Sequence, residues 1–253
     1  MPRFAILFLA LPLLAGRAAP PPAVVSALEN LRAQRSYSWE VINGDPGPVA
    51  REIETRRGTV TTVQRNTAPE TKGSIDLAGD TLLRREWSDG LRLDTLITAG
   101  GDFLTLTPDG WLTTQEILTA QADERLRATG PTSRALWLRR ADRPEVLRPD
   151  QELVHLLKSD LVFENTAPDT YVVRLKAAED SANAGVEATF TLHLRSGVLR
   201  NYEVLLEGSR MIPRSRARMP ISENRLVVIT YVPVRRVDVP AEAREKLKPA
   251  TKR

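Results

Sequence analysis

The sequence predicts an α+β fold: a curved antiparallel sheet, a half-barrel, with helices covering its concave side. Three observations predict it. Residues 49 to 114 are almost all short strands punctuated by turn pairs such as Asp89-Gly90 and Asp109-Gly110. Consecutive hairpins imply an antiparallel meander, because parallel strands need crossover helices. Helical spacing then occupies a middle block, and a second run of strands follows it.

The elements come in this order. Val24, Leu28 and Leu31 recur at helical spacing, so residues 22 to 34 read as an amphipathic helix, with Ser26 and Glu29 at capping-box spacing. The period then switches. Tyr37, Trp39 and Val41 alternate with Ser36, Ser38 and Glu40, the pattern of a half-buried strand. Strands are expected at 50–57 and 59–66 around Gly58, at 82–88 and 91–98 around Asp89-Gly90, and at 102–107. Thr113 and Glu116 form a second capping box, opening helices at 115–127, 133–140 and 150–158. Strands resume at Thr170–Lys176, Val186–Leu194, Val198–Glu207 and Arg225–Val237, with Ser196-Gly197 turning the middle pair. Pro240 suits a first helical turn, and Ala241–Leu247 reads as a short last helix.

Composition narrows the function. The chain has 253 residues, 42% of them hydrophobic and 27% charged, enough for a buried core. Cysteine is absent, which excludes disulfides, thiolate metal sites and a cysteine nucleophile. Aromatic residues are only 5%, too few for base-stacking platforms, and opposite charges interleave along the chain. Nucleic acid is therefore not an expected partner. Arg3 precedes an uncharged apolar run from Phe4 to Ala15, and Gly16 and Ala18 fit a cleavage site before Ala19. Residues 1–18 thus read as a secretory signal peptide, too short to span a bilayer. Its loss removes Arg3 and Arg17. The expected product is a soluble exported protein, periplasmic or extracellular, with one domain over residues 19–247. A helical insert lies at about 115–158 and a basic tail at 248–253.

Three segments carry a resemblance. They are Arg35-Ser-Tyr-Ser-Trp39 after the first helix, Leu161-Val-Phe-Glu-Asn leading to Asp169-Thr-Tyr-Val-Val-Arg-Leu175, and Arg225-Leu-Val-Val-Ile-Thr-Tyr231 followed by Val237-Asp-Val-Pro240. Their order resembles the LolA/LolB/LppX-like superfamily of exported lipoprotein and lipid carriers. The resemblance implies a half-open barrel lidded by helices. It also implies a non-enzymatic binding protein that holds a lipid or a lipoprotein acyl group in an apolar cavity. Anchored members begin their mature part with cysteine, so this chain resembles the soluble carriers. The alternative is a cell-envelope interaction protein with a filled cavity.

Such a site needs only an apolar concave face, since each methylene removed from water contributes about 0.8 kcal/mol. Strand parity nominates Trp39, Leu91, Leu93, Ile97, Phe103, Tyr171, Val173, Phe190, Leu192, Tyr202 and Val204 as its lining. Each is equally at home as an ordinary core side chain. Arg214, Arg216 and Arg218 alternate, so an extended backbone places three guanidinium groups on one face toward an anion, a protein partner or a membrane surface. Equally, they suit a solvated edge strand. His155 and His193 read as structural or surface residues. Nucleophile-elbow, zinc, phosphate-loop and calcium-loop motifs are absent from the sequence. Asp76 and Asp80 read as exposed turn carboxylates. Catalytic residues, metal ligands and cofactors are accordingly not expected, and a monomer is.

Overall fold

The computed structural model describes residues 20–44, 49–55, 58–64, 68–127, 132–141, 148–157, 161–176, 186–211 and 218–247. The signal-peptide segment, Arg214, Arg216 and the basic tail lie outside the described residues, as does the side chain of His155.

Helix α1 (Pro22–Ala33) begins on proline, whose missing N–H is an orphan there anyway. Val24, Ala27, Leu28 and Leu31 form its buried stripe. Ser26 and Glu29 do not start the helix; it begins a turn earlier and has no side-chain cap.

Among the described residues thirteen strands follow in two sheets. In chain order they are β1 (Tyr37–Asn43), β2 (Val49–Thr55), β3 (Gly58–Gln64), β4 (Glu70–Ile75), β5 (Thr81–Glu86), β6 (Arg92–Ile97), β7 (Phe103–Thr107), β8 (Gly110–Thr113), β9 (Phe163–Ala167), β10 (Thr170–Lys176), β11 (Val186–Arg195), β12 (Val198–Met211) and β13 (Arg218–Thr230). Eleven make one open antiparallel sheet in the order β8-β7-β6-β5-β4-β1-β13-β12-β11-β10-β9. The strand β1 therefore joins two meanders, β4–β8 and β9–β13. Strands β2 and β3 form a separate hairpin. Gly90 (φ 82°) and the pair Ser196-Gly197 (φ 53° and 73°) supply the left-handed backbone their turns require.

Three boundaries differ from the sequence reading. The strand β4 was not singled out, because Lys72-Gly73-Ser74 breaks the apolar alternation. The strand β9 falls where the sequence reads as a helix end and turn. The strand β13 spans Arg218–Thr230 rather than reaching Val237. Pro233 cannot donate to a ladder, and residues 231–240 run on without one.

Helices cover both faces. On the face that carries Tyr37, Trp39 and Val41, α1 and the segment of α4 (Pro149–Glu152) with its 3-10 continuation Leu153–Leu157 lie over β1 and β10–β13. On the same face α2 (Thr114–Arg127) and α3 (Ser133–Ala141) cover the β6–β8 end, where Ile117, Trp137, Leu138 and Ala141 pack against Leu93. The Thr113–Glu116 box forms as expected: Thr113 N donates to Glu116 Oε2 (2.8 Å) and Glu116 N to Thr113 Oγ1 (3.2 Å). Helix α5 (Ala241–Leu247) departs from the one-sided arrangement. Ala243, Val237 and Val239 pack on Leu96, Leu104 and Trp111, which point to the opposite face.

Asp76 pins that last segment. It is 2% exposed, not the surface carboxylate expected. Its oxygens accept from the backbone N–H groups of Ala78 (2.9 Å), Asp80 (3.1 Å) and, far along the chain, Val237 (2.9 Å). Ser36 adds a second clasp, accepting from Val234 N (2.6 Å) and donating to its carbonyl (3.0 Å).

At the centre, Gly73 stands directly opposite Trp39 in register. The indole lies across it, so that a Cβ on Gly73 would stand 2.2 Å from ring atoms Cε2 and Cζ2. Gly73→Ala should therefore cost about 1–3 kcal/mol in chemical denaturation, the usual penalty of overpacking. In a Trp39→Leu background the added methyl should cost much less, and a double-mutant cycle measures the difference.

Candidate functional site

Register decides which side chains share a face. Trp39 is opposite Ile229 and Gly73; Val227 is opposite Tyr202, Tyr202 opposite Leu192, and Leu192 opposite Tyr171. Val204, Phe190 and Val173 form the next row. Across the other meander Thr81 pairs with Ile97 and Ile97 with Phe103, while Arg85 pairs with Leu93. Ten of the eleven nominated lining residues therefore lie on the Trp39 face. Leu91 precedes β6 and packs beside the α2–α3 cluster.

The face is not uniformly apolar. Trp39, Tyr171, Val173, Phe190, Leu192, Tyr202 and Val204 belong to one buried cluster under α1 and residues 153–157, with Ile97 packed at its edge. Leu93 belongs to the α2–α3 cluster, and Phe103 is half-buried in neither. In the β4–β7 portion Ile75 and Leu83 join the first cluster, and beside them lie buried Thr71, Thr81, Thr95, Thr105 and Thr107 around buried Arg85. Arg85 Nη2 donates to Thr95 Oγ1 (3.0 Å), and Nη1 to the Arg140 carbonyl of α3 (3.3 Å). The apolar surface is thus centred on β1 and β10–β13 and reaches β4–β6 only through Ile75, Leu83 and Ile97.

That surface is covered by the protein's own side chains. The seam where α1 meets residues 149–157, lined by Leu28, Leu31, Leu153 and Leu157, encloses no water-sized space. The expected open apolar cavity of several hundred Å³ is not present at this seam. A depression of about 330 Å³ exists on the opposite face, bordered by Ser38, Glu40, Lys72, Ser74, Arg84 and Thr230. It is open, and Leu82 and Val228 line it beside the polar side chains.

The cover is fastened to the sheet by charged groups, which the sequence reading missed. Glu152 of α4 accepts a hydrogen bond from Tyr202 Oη (2.7 Å) and pairs with Arg225 of β13. Asp150 accepts from Tyr37 Oη and from Arg148, Nε at 3.0 Å and Nη2 at 2.6 Å. Arg225 shares the parity of Val227 and Ile229, and an arginine in an apolar register is the sequence signal for such a pair. Burial, then the Asp150 carboxylate, pushes the Tyr37 hydroxyl well above its ordinary pKa. Tyr202 is raised likewise by burial and Glu152. Two further donors on this face, Trp39 Nε1 and Arg225 Nε, are buried without an acceptor among the described residues.

The remaining candidates sit apart. Arg218 opens β13, in register with Met211, away from the apolar rows. His193 stands at the surface, its Nε2 3.7 Å from Glu203. Trp87, Trp111 and Trp137 are buried anchors between sheet and helices. Among the described residues no group of three or more acidic or histidine side chains is placed to hold a metal ion, and no helix is long and apolar enough to cross a membrane. No family profile, curated protein or solved structure matches the chain.

Two outcomes follow from the fastening. Glu152→Ala leaves Arg225 and Tyr202 without their acceptor and should cost about 1–3 kcal/mol, with increased binding of a hydrophobic dye, whereas Glu152→Gln should cost less. Stability should also fall at alkaline pH. The tyrosines lose their protons near pH 10 when unfolded but only at higher pH when folded, so their contribution is whole below about pH 10 and is lost above it. Tyr231, pushed up to about 12 by burial, adds to the same slope. Denaturation midpoints between about pH 8 and 11 measure it, and Tyr37→Phe/Tyr202→Phe should flatten the fall.

Proposed function

We propose that this chain is an exported, soluble, non-enzymatic carrier of an apolar ligand, a lipid or the acyl group of a lipoprotein. The ligand lies on the Trp39 face of a curved half-barrel once residues 148–157 lift away. One observation carries the reading: seven aligned apolar side chains lie under a cover that is fastened by carboxylates. A cover built for stability alone is served as well by apolar contacts, since burying ion pairs brings little net gain. Charged fastenings suit reversible closure, because Asp150, Glu152, Arg148 and Arg225 regain their hydration when the cover opens. The acyl chain then replaces the cover's leucines against the sheet. Trp39 Nε1 and Arg225 Nε supply donors for a ligand carbonyl or carboxylate, a use for two hydrogen-bonding groups that otherwise cost about 1–3 kcal/mol each.

The covered apolar surface favours a second reading, an envelope protein that keeps this cover shut and acts through its surface. Mass spectrometry of the organic extract from natively purified protein separates the two. Carriage predicts a stoichiometric lipid or acyl species, and a fluorescent fatty-acid probe that binds more weakly in Trp39→Asp. Extracts without lipid, together with a probe that ignores both Glu152→Ala and the unmodified protein, would overturn carriage and leave the surface reading.

A further inference from the structure

We propose that the end of the sheet where β1 begins and β13 ends docks on a bilayer surface carrying anionic headgroups. Three segments meet there. Ser36 is bonded to Val234 in both directions, which brings Arg35 beside Arg235 and Arg236. Tyr231 Oη donates to the Leu199 carbonyl (2.7 Å), which brings the β11–β12 turn and Arg195 to the same place. Arg200 is skipped in the β11–β12 register, His193 pairing with Asn201 and Leu194 with Leu199, so it is the extra residue of a bulge. Bulges re-aim side chains, and the Arg200 guanidinium lies 5.8 Å from the centre of the Tyr231 ring.

Five arginines are thus gathered on one end: Arg35, Arg195, Arg200, Arg235 and Arg236. All five are exposed, and none has an ion-pair partner among the described residues. By contrast, Arg84, Arg92, Arg174 and Arg225 within the sheet each meet a carboxylate. The exposed acidic residues adjoining these segments are Asp169 and Asp238. Val232 is 66% exposed. An exposed aliphatic side chain in the same segment as Arg235 and Arg236, with guanidinium groups that meet no carboxylate among the described residues, matches a fluid anionic surface, where the cations meet phosphates and the side chain enters the headgroup layer. Nucleic acid is disfavoured because Tyr231, the ring at this end, is already engaged by Arg200 and the Leu199 carbonyl. The five arginines and Val232 are not among the side chains of the apolar cluster on the Trp39 face, so docking does not depend on ligand carriage.

Vesicle flotation with the full chain tests this. The protein should float with phosphatidylcholine vesicles containing phosphatidylglycerol and not with phosphatidylcholine alone. Raising the salt well above about 0.1 M, where the Debye length is ~10 Å, should release it. Arg235→Glu/Arg236→Glu should weaken binding about tenfold or more, and Val232→Asp severalfold, while Arg125→Glu/Arg127→Glu on α2 should not matter. Circular dichroism of each variant verifies that it is folded. Failure to float with anionic vesicles, or an Arg235→Glu/Arg236→Glu variant that floats like the unmodified protein, would overturn the proposal. So would binding to polyglutamate or single-stranded RNA that needs the same arginines without any vesicle binding.

Discussion

Glu152 holds two ends of the molecule's logic in one carboxylate. It accepts the Tyr202 hydroxyl from the middle of the apolar face and the Arg225 guanidinium from the neighbouring strand. Asp150, two residues earlier, does the same for Tyr37 and Arg148. Without these bonds residues 149–157 are a short helical turn and a 3-10 stretch, too brief to persist alone. Their leucines would still prefer the sheet, but nothing would fix their register on it. What lies beneath them, sealed or accessible, therefore turns on a few polar contacts rather than on the bulk of the core.

The division of the Trp39 face makes this possible. Under α2 and α3 the sheet adds to Leu93 and Leu112 a set of threonines and a buried arginine bound to backbone, a directional arrangement. Under α1 and residues 149–157 it offers leucine, valine, phenylalanine and tyrosine, whose packing is non-directional. One sheet thus carries two differently built ends. The C-terminal segment is clasped by Asp76 and Ser36, which positions the arginines at the rim.

Much of this was legible in the residues. Period-two alternation marked β1 and β10–β12, and it placed ten lining candidates on one face because parity needs no knowledge of partners. Turn pairs marked the hairpins, and the Thr113–Glu116 box marked α2. The losses have physical causes. Strand β4 hides because Gly73 is there to accommodate an indole from another strand, a tertiary reason invisible locally. Asp76 looked exposed because its partner Val237 is far away in sequence. The site was half legible: the apolar rows were, but the fastening was not. Tyr37 and Tyr202 read as apolar positions, and Asp150 and Glu152 as ordinary helix-start acids, until the fold set them face to face. Export and the arginine trio at 214–218 remain expectations from sequence.

On this reading residues 149–157 open on their own, without the sheet unfolding. Native-state hydrogen exchange measures that directly. Amides of Leu153–Leu157 should exchange through a local opening whose free energy lies well below that of β12 and β13, and Glu152→Ala should lower it further. Exchange of those amides only with global unfolding, at the same free energy as the central strands, would contradict it.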